Sequence, residues 1–169
     1  NYAQGRRLVG ASTITQQVAK NFLLTSDVTF KRKIKEAILA IRIERVLSKE
    51  RILELYLNEI YLGFGSYGVA AAALNYFNKS LDKLTIPESA FIAALPKAPN
   101  NYNPLKYPKN AKARRNWVIK RMLEDRMITA SEAREYSDSN LVVRQRDKTE
   151  YVQAKYFAEL VRRKLVTRY

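Results

Sequence analysis

A run of hydroxyl and amide side chains, Ser12-Thr13-Ile14-Thr15-Gln16-Gln17, is followed by Lys20 and Asn21. These are residue types that hold an anion. Thr13 and Gln16 have capping-box spacing, so a helix is predicted to start at Thr13, after the small Gly10-Ala11 entry. The first turn of a helix carries free N–H groups and a partial positive charge, which suits phosphate. Gln16 with Lys20, and Gln17 with Asn21, are each four apart and form two neighbouring polar lines on that helix. Ile14, Val18 and Phe22 take the other side and are expected to face a core.

Four further clusters could bear chemistry. Arg32 and Glu36 share a helical face inside Lys31-Arg32-Lys33-Ile34-Lys35-Glu36. That segment alone favours an exposed ion pair worth roughly 0.3–0.5 kcal/mol; the functional alternative is a carboxylate in a cationic pocket beside a phosphate. Lys97 stands between Pro96 and Pro99, where a stiff backbone would present one ammonium to a phosphate or to solvent. In Lys49-Glu50-Arg51-Ile52-Leu53-Glu54-Leu55-Tyr56-Leu57-Asn58, Glu54 and Asn58 are four apart, and a buried Glu54 with hydrogen-bond partners is the expectation. In Arg114-Arg115-Asn116-Trp117, the tryptophan is expected in the core and the arginines on a solvated face.

Composition narrows the chemistry. The 169 residues fit one domain, and a 47% hydrophobic content can fill a core. There is no histidine and no cysteine, so acid–base work would rest on carboxylates, lysine or tyrosine, and disulfide or thiolate chemistry is excluded. Lys and Arg outnumber Asp and Glu by 31 to 16, a net charge of +15 spread along the whole chain. Such an excess suits nucleic acid, an anionic membrane face or a phosphorylated substrate. No apolar run reaches the length that spans a bilayer. The chain opens on Asn1 and ends within a helical pattern at Tyr169, so localisation signals and any anchor are expected outside it.

The elements that must position these residues are helical nearly throughout. A second helix is predicted from near Thr29 to Leu47, with Ile34, Ile38 and Ile41 at helical spacing. Ser48 caps a third, to about Tyr61, with Ile52, Tyr56 and Ile60 inward. Gly63-Phe64-Gly65-Ser66-Tyr67-Gly68 breaks the pattern, and an Ala-rich helix runs on to Phe77. Thr85-Ile86-Pro87-Glu88 opens a helix that stops at Pro96. Residues 96–108 hold four of the five prolines and read as an irregular loop. A helix follows from after Asn110 to about Asp125, and Thr129-Ala130-Ser131-Glu132 opens a short one. Leu141-Val142-Val143 suggests a brief strand, and Tyr156–Val166 a last amphipathic helix.

In this order and spacing the clusters resemble the family 51 peptidoglycan glycosyltransferases. Gly10-Ala11-Ser12-Thr13-Ile14-Thr15-Gln16-Gln17 is similar to the second motif of that family. Arg32-Lys33-x-x-Glu36 resembles the third, Lys49-x-x-Ile52-Leu53-Glu54-x-Tyr56-Leu57-Asn58 the fourth, and Arg114-x-x-x-Val118-Ile119 the fifth, with Ile for the usual Leu. Tyr67-Gly68-Val69 to Tyr76-Phe77 and Pro96-Lys97-Ala98-Pro99 are also similar. The likeness covers residues 5–145, and the tail at 156–163 resembles the connector to the transpeptidase domain of class A penicillin-binding proteins, the 1A type among them. The organisation it implies is a glycosyltransferase domain over 1–145, then a connector helix over 146–169.

The resemblance implies a mainly α, lysozyme-like fold with a small membrane-proximal second lobe. It implies polymerisation of lipid II: the 4-hydroxyl of an incoming lipid II attacks the growing glycan, and undecaprenyl diphosphate leaves. Ser12, Thr13, Gln16, Gln17, Lys20, Asn21, Arg32 and Lys97 would then bind diphosphate. Glu36 would be the second of two essential glutamates, and Glu54, Tyr56, Asn58 and Arg114 would be structural motif residues. The resemblance allows a divalent cation, Mg2+ or Mn2+, and no organic cofactor. It implies phosphoglycolipid inhibitors of the moenomycin type and a place on the outer face of the bacterial cytoplasmic membrane. The family's first motif, an acidic stretch ending in His-x-Gly that supplies the general-base glutamate, is not among these residues, so the 169 residues alone are expected not to polymerise. Two other classes fit the charge: a non-catalytic lipid-diphosphate or membrane-docking module, and a basic helical nucleic-acid binder. No helix-turn-helix, zinc or RNP-type motif supports the latter, and nucleic acid is not an expected partner.

Overall fold

The computed structural model describes residues 12–23 and 30–144, apart from the side chains of Phe22 and Leu23. Gly10, Ala11, the side chain of Phe22 and the connector over 146–169 therefore lie outside the described residues. The chain divides into two compact units, Asn1–Ile60 and Tyr61–Tyr169. The described part is helical and contains no strand, in keeping with the mainly α expectation.

The first unit contains α1 (Ile14–Leu23), α2 (Phe30–Val46) and α3 (Lys49–Glu59), with α1 packed on both others. Thr13 starts α1 as its sequence predicts. The Thr13 N–H donates to Gln16 Oε1 and the Gln16 N–H donates to Thr13 Oγ1, both at 3.1 Å. Two otherwise orphaned donors of the first turn are thereby satisfied. The buried face of α1 is Thr15, Val18 and Ala19; Ile14, expected inside, is 42% exposed. Ser48 caps α3, its Oγ accepting from the Arg51 N–H at 3.3 Å. Ile52 anchors that helix as expected, and its burial contributes about 1.5–3 kcal/mol.

On α2 the helical spacing holds, but the isoleucine line is not the buried side. Ile34, Ile38 and Ile41 are about half exposed, and Phe30 ahead of them is open to solvent. The buried residues of α2 are Glu36 and Ala40. Spacing dictates which side chains share a helix face; it does not say which face a neighbour covers.

The second unit holds α4 (Val69–Phe77), α5 (Ile86–Ala94), α6 (Pro108–Glu124) and α7 (Ala130–Asp138), with 3-10 turns at Leu81–Lys83 and Leu95–Lys97. Tyr76, Phe77 and Phe91 form an aromatic core with edge-on contacts at 5.5 and 6.0 Å to Phe91. Ala90, Ile119, Ile128 and Ala133 join α5, α6 and α7. Both predicted capping boxes form, with the Thr85 and Thr129 N–H groups donating to Glu88 and Glu132 at 2.8 and 2.7 Å. α6 starts earlier than expected, because Pro108 sits in its first turn, where proline's fixed φ and missing N–H cost nothing.

Gly63 illustrates the turn before α4. Its φ is +80°, and a Cβ there would meet Tyr76 Oη at 2.9 Å and Pro99 Cβ at 3.1 Å. Only glycine meets both demands without strain. The strand suggested at 141–143 does not form. The residues run as irregular chain, and Arg144 N–H donates to the Tyr76 carbonyl at 2.9 Å.

Candidate active site

The third-motif segment sits on the first two turns of α2. Its spacing places Arg32, Lys33 and Glu36 on one side. Glu36 is 2% exposed, which overturns the exposed ion pair expected from that segment alone. Lys33 Nζ donates to Glu36 Oε2 and to Ser12 Oγ, each at 2.7 Å. Arg32 Nη1 stands 3.3 Å from Glu36 Oε1, and that oxygen accepts no hydrogen bond among the described residues. One buried carboxylate thus anchors two cations, and one of those ties α2 to Ser12, two residues before α1.

Burying a carboxylate costs several kcal/mol unless charge and hydrogen bonds compensate. Two cations within 3.3 Å supply that compensation here. The arrangement holds positive charge at the start of α1 before any ligand arrives. Lys33 is the residue that sequence reasoning left out of the anion site. Its signal was present in the Arg32-Lys33-x-x-Glu36 spacing, since Lys33 and Glu36 are three apart. Its bridge to Ser12, 21 residues away in the chain, is a tertiary contact.

The remaining anion-site candidates of this unit lie along α1. Gln16 and Gln17 are half-buried, while Thr13, Lys20 and Asn21 are exposed. Gln16 gives its carbonyl oxygen to the Thr13 cap, so only its NH₂ is left for a ligand. Behind this helix, Thr15 Oγ1 donates to Glu44 Oε1 at 2.6 Å, beside an open cavity of about 530 Å³ lined mainly by Ile14, Leu47, Ile52 and Leu53.

Lys97 belongs to the second unit. It ends the 3-10 turn Leu95–Lys97 and is exposed, with Pro96 inside the turn. The fourth-motif expectation needs correction. Glu54 is not buried; it is about half exposed and pairs with Arg51 Nη1 at 2.6 Å. Asn58 is exposed as well, and Tyr56 is half-buried, where loss of water pushes its phenol above the usual value.

The fifth motif also departs from expectation. Trp117 is 50% exposed rather than core, while Arg115 is fully buried rather than solvated. Arg114 is half-buried, with its guanidinium carbon 4.0 Å from the Trp117 ring centre. For the divalent cation, the described residues offer no group of three or more Asp and Glu, and the buried Glu36 carboxylate already faces two cations. These residues do not by themselves fit such an ion.

A transglycosylase sequence pattern matches residues 1–123. The chain belongs to the transglycosylase family. It is 60% identical over 166 residues to penicillin-binding protein 1A of Rickettsia bellii, covering 98% of this chain and 21% of that protein. It is 50% identical over 169 residues to penicillin-binding protein 1A of Aquifex aeolicus, covering 100% and 23%. The crystal structure of penicillin-binding protein 1A from Haemophilus influenzae matches with a TM-score of 0.54 at 38% identity, over 89% of this chain and 20% of that one. The transglycosylase chain therefore spans about a fifth of the length of these relatives. Its helical architecture agrees with the lysozyme-like fold expected from the motifs.

Proposed function

We propose that this transglycosylase domain takes part in glycan-strand polymerisation from lipid II. The C1 of a lipid-diphosphate-linked glycan bonds to the 4-oxygen of lipid II as its bond to the diphosphate oxygen breaks. The hydroxyl proton goes to a base, which the resemblance assigns to a glutamate outside these residues. Negative charge develops on the departing diphosphate, and that is where fixed cations and N–H donors lower the barrier. The observation that carries this reading is the Ser12–Lys33–Glu36 chain at the start of α1. Glu36 acts there as the anchor that aims Lys33 and Arg32, and Gln17, Lys20 and Asn21 of the same unit are further candidates for the phosphate oxygens.

The reading extends to the membrane. Phe30, Ile34, Ile38 and Ile41 form an exposed apolar stripe on α2, flanked by the exposed Lys31, Lys35, Arg42 and Arg45. That composition suits the anionic outer face of a bacterial cytoplasmic membrane, where lipid II resides. No helix among the described residues is long and apolar enough to cross a membrane. Phosphoglycolipid inhibitors of the moenomycin type would compete through the same phosphate contacts.

Calorimetric titration in detergent tests the proposal with the chain as it stands. Undecaprenyl diphosphate is expected to bind at least tenfold more tightly than undecaprenyl monophosphate. Lys33→Ala and Glu36→Gln should each remove most of that preference. Equal affinity for the two lipids, or variants that keep the preference, would overturn the diphosphate assignment.

A further inference from the structure

The exposed tryptophan of the second unit belongs to a cluster that the diphosphate reading does not use. Tyr102, Asn110, Ala113, Arg114 and Trp117 line a shallow, open pocket of about 270 Å³. The Arg114 guanidinium carbon lies 4.0 Å from the Trp117 ring centre and 5.9 Å from that of Tyr102. Arg121 approaches the same indole at 6.0 Å but is tied to Glu124 at 2.7 Å. Arg114 Nε is buried and has no hydrogen-bond partner among the described residues. Along α6 the first acidic residue is Glu124, and the residues three and four away from Arg114 are Asn110, Ala111, Trp117 and Val118, so no carboxylate lies near it in the helix.

A guanidinium held against aromatic rings has lost most of its rotational freedom before a ligand arrives. Its planar fork matches an oxyanion through two parallel hydrogen bonds. The phenol and the half of the indole that stays exposed beside the guanidinium offer apolar surface, which suits a short peptide. The Asn110 side chain adds a neutral donor and acceptor at the rim. We propose that Arg114, Trp117, Tyr102 and Asn110 form a carboxylate subsite that takes the peptide arm of a glycan substrate or product. The choice of a peptide-bearing glycan rests on the polymerisation reading above. The oxyanion chemistry rests on the pocket alone.

Trp117 is the single tryptophan of the chain, so its fluorescence reports on this pocket directly. The 169-residue protein is titrated with an N-acetylmuramyl dipeptide carrying free carboxylates, with the same compound fully amidated, and with inorganic phosphate. A saturable change with the acid, at least tenfold weaker with the amide and with phosphate, is the expected result. Equal response to acid and amide would overturn the oxyanion role, and equal response to phosphate would overturn the peptide source. Arg114→Lys keeps the charge but removes the fork, and should weaken the response at least tenfold. Arg121→Gln, on the same indole, should leave it unchanged; a variant pair that behaves alike refutes the assignment to Arg114. Undecaprenyl diphosphate titrations of the same samples read the other proposal separately, so either can fail while the other stands.

Discussion

Two adjacent arginines show how far position, rather than residue type, sets a role. Arg114 rests on an indole at the edge of a pocket, whereas Arg115 is fully buried. Arg115 donates to the Ser137 and Ser139 carbonyls at 3.0 and 2.9 Å, at the C-terminal end of α7, and to Asn116 Oδ1. Helix ends of this kind leave carbonyls without partners and carry partial negative charge. Burial pushes the Arg115 guanidinium below its usual value, and those carbonyls keep the buried charge tolerable. Arg115→Met is expected to destabilise the fold by about 1–3 kcal/mol in urea unfolding, since the Ser139 carbonyl loses its donor and the Ser137 carbonyl keeps only Asn116 Nδ2. A loss below 0.5 kcal/mol, on the order of a surface substitution, would show that water replaces the arginine. Sequence alone placed both residues on a solvated face, because a charged pair on a helix carries no mark of what packs over it.

Among the elements, helix starts were the most legible feature. Thr13, Ser48, Thr85 and Thr129 all cap where their local spacing says they should, since a cap is a contact between residues two or three apart. The 141–143 segment shows the converse. Three apolar β-formers make no strand without a partner edge, and none runs beside them among the described residues. The α2 stripe yields a test at this scale. Ile38→Gln with Ile41→Gln should leave the thermal midpoint within a few degrees, because both side chains are already about half exposed. The same pair should weaken co-sedimentation with phosphatidylglycerol vesicles several-fold. A collapse in stability would mean that the stripe is packed in solution, and unchanged vesicle binding would remove α2 from the membrane contact.

At the scale of the whole molecule, the +15 charge and the absence of histidine frame everything else. Titration near neutral pH contributes little here, and the alkaline side is more informative. Burial, with a smaller contribution from Tyr61, pushes the Tyr76 phenol up to about 12 from 10.0. Its hydroxyl donates to the Leu62 carbonyl at 3.0 Å, a bond that needs the proton. The unfolded chain ionises first, so this stabilisation is complete below pH 10 and is lost as pH rises to about 12. A change of that size corresponds to about 2–3 kcal/mol. Urea unfolding at pH 9 and pH 12 should show that loss in the wild type, and Tyr76→Phe should lack this part of it, at a cost of about 1 kcal/mol at neutral pH. Identical alkaline profiles would assign the effect to other groups.

The sequence by itself determined the helical class, the caps, the order of the motifs and, through them, the family. All of these are properties of residues near one another in the chain, governed by spacing and backbone hydrogen bonding. Tertiary structure alone decided which helix faces are covered. It turned Ile34, Ile38, Ile41 and Trp117 outward, sent Arg115 inward, left Glu54 on the surface and made Glu36 the buried anchor of Lys33 and Ser12. Burial depends on what a distant segment brings to a side chain, and no local pattern carries that information.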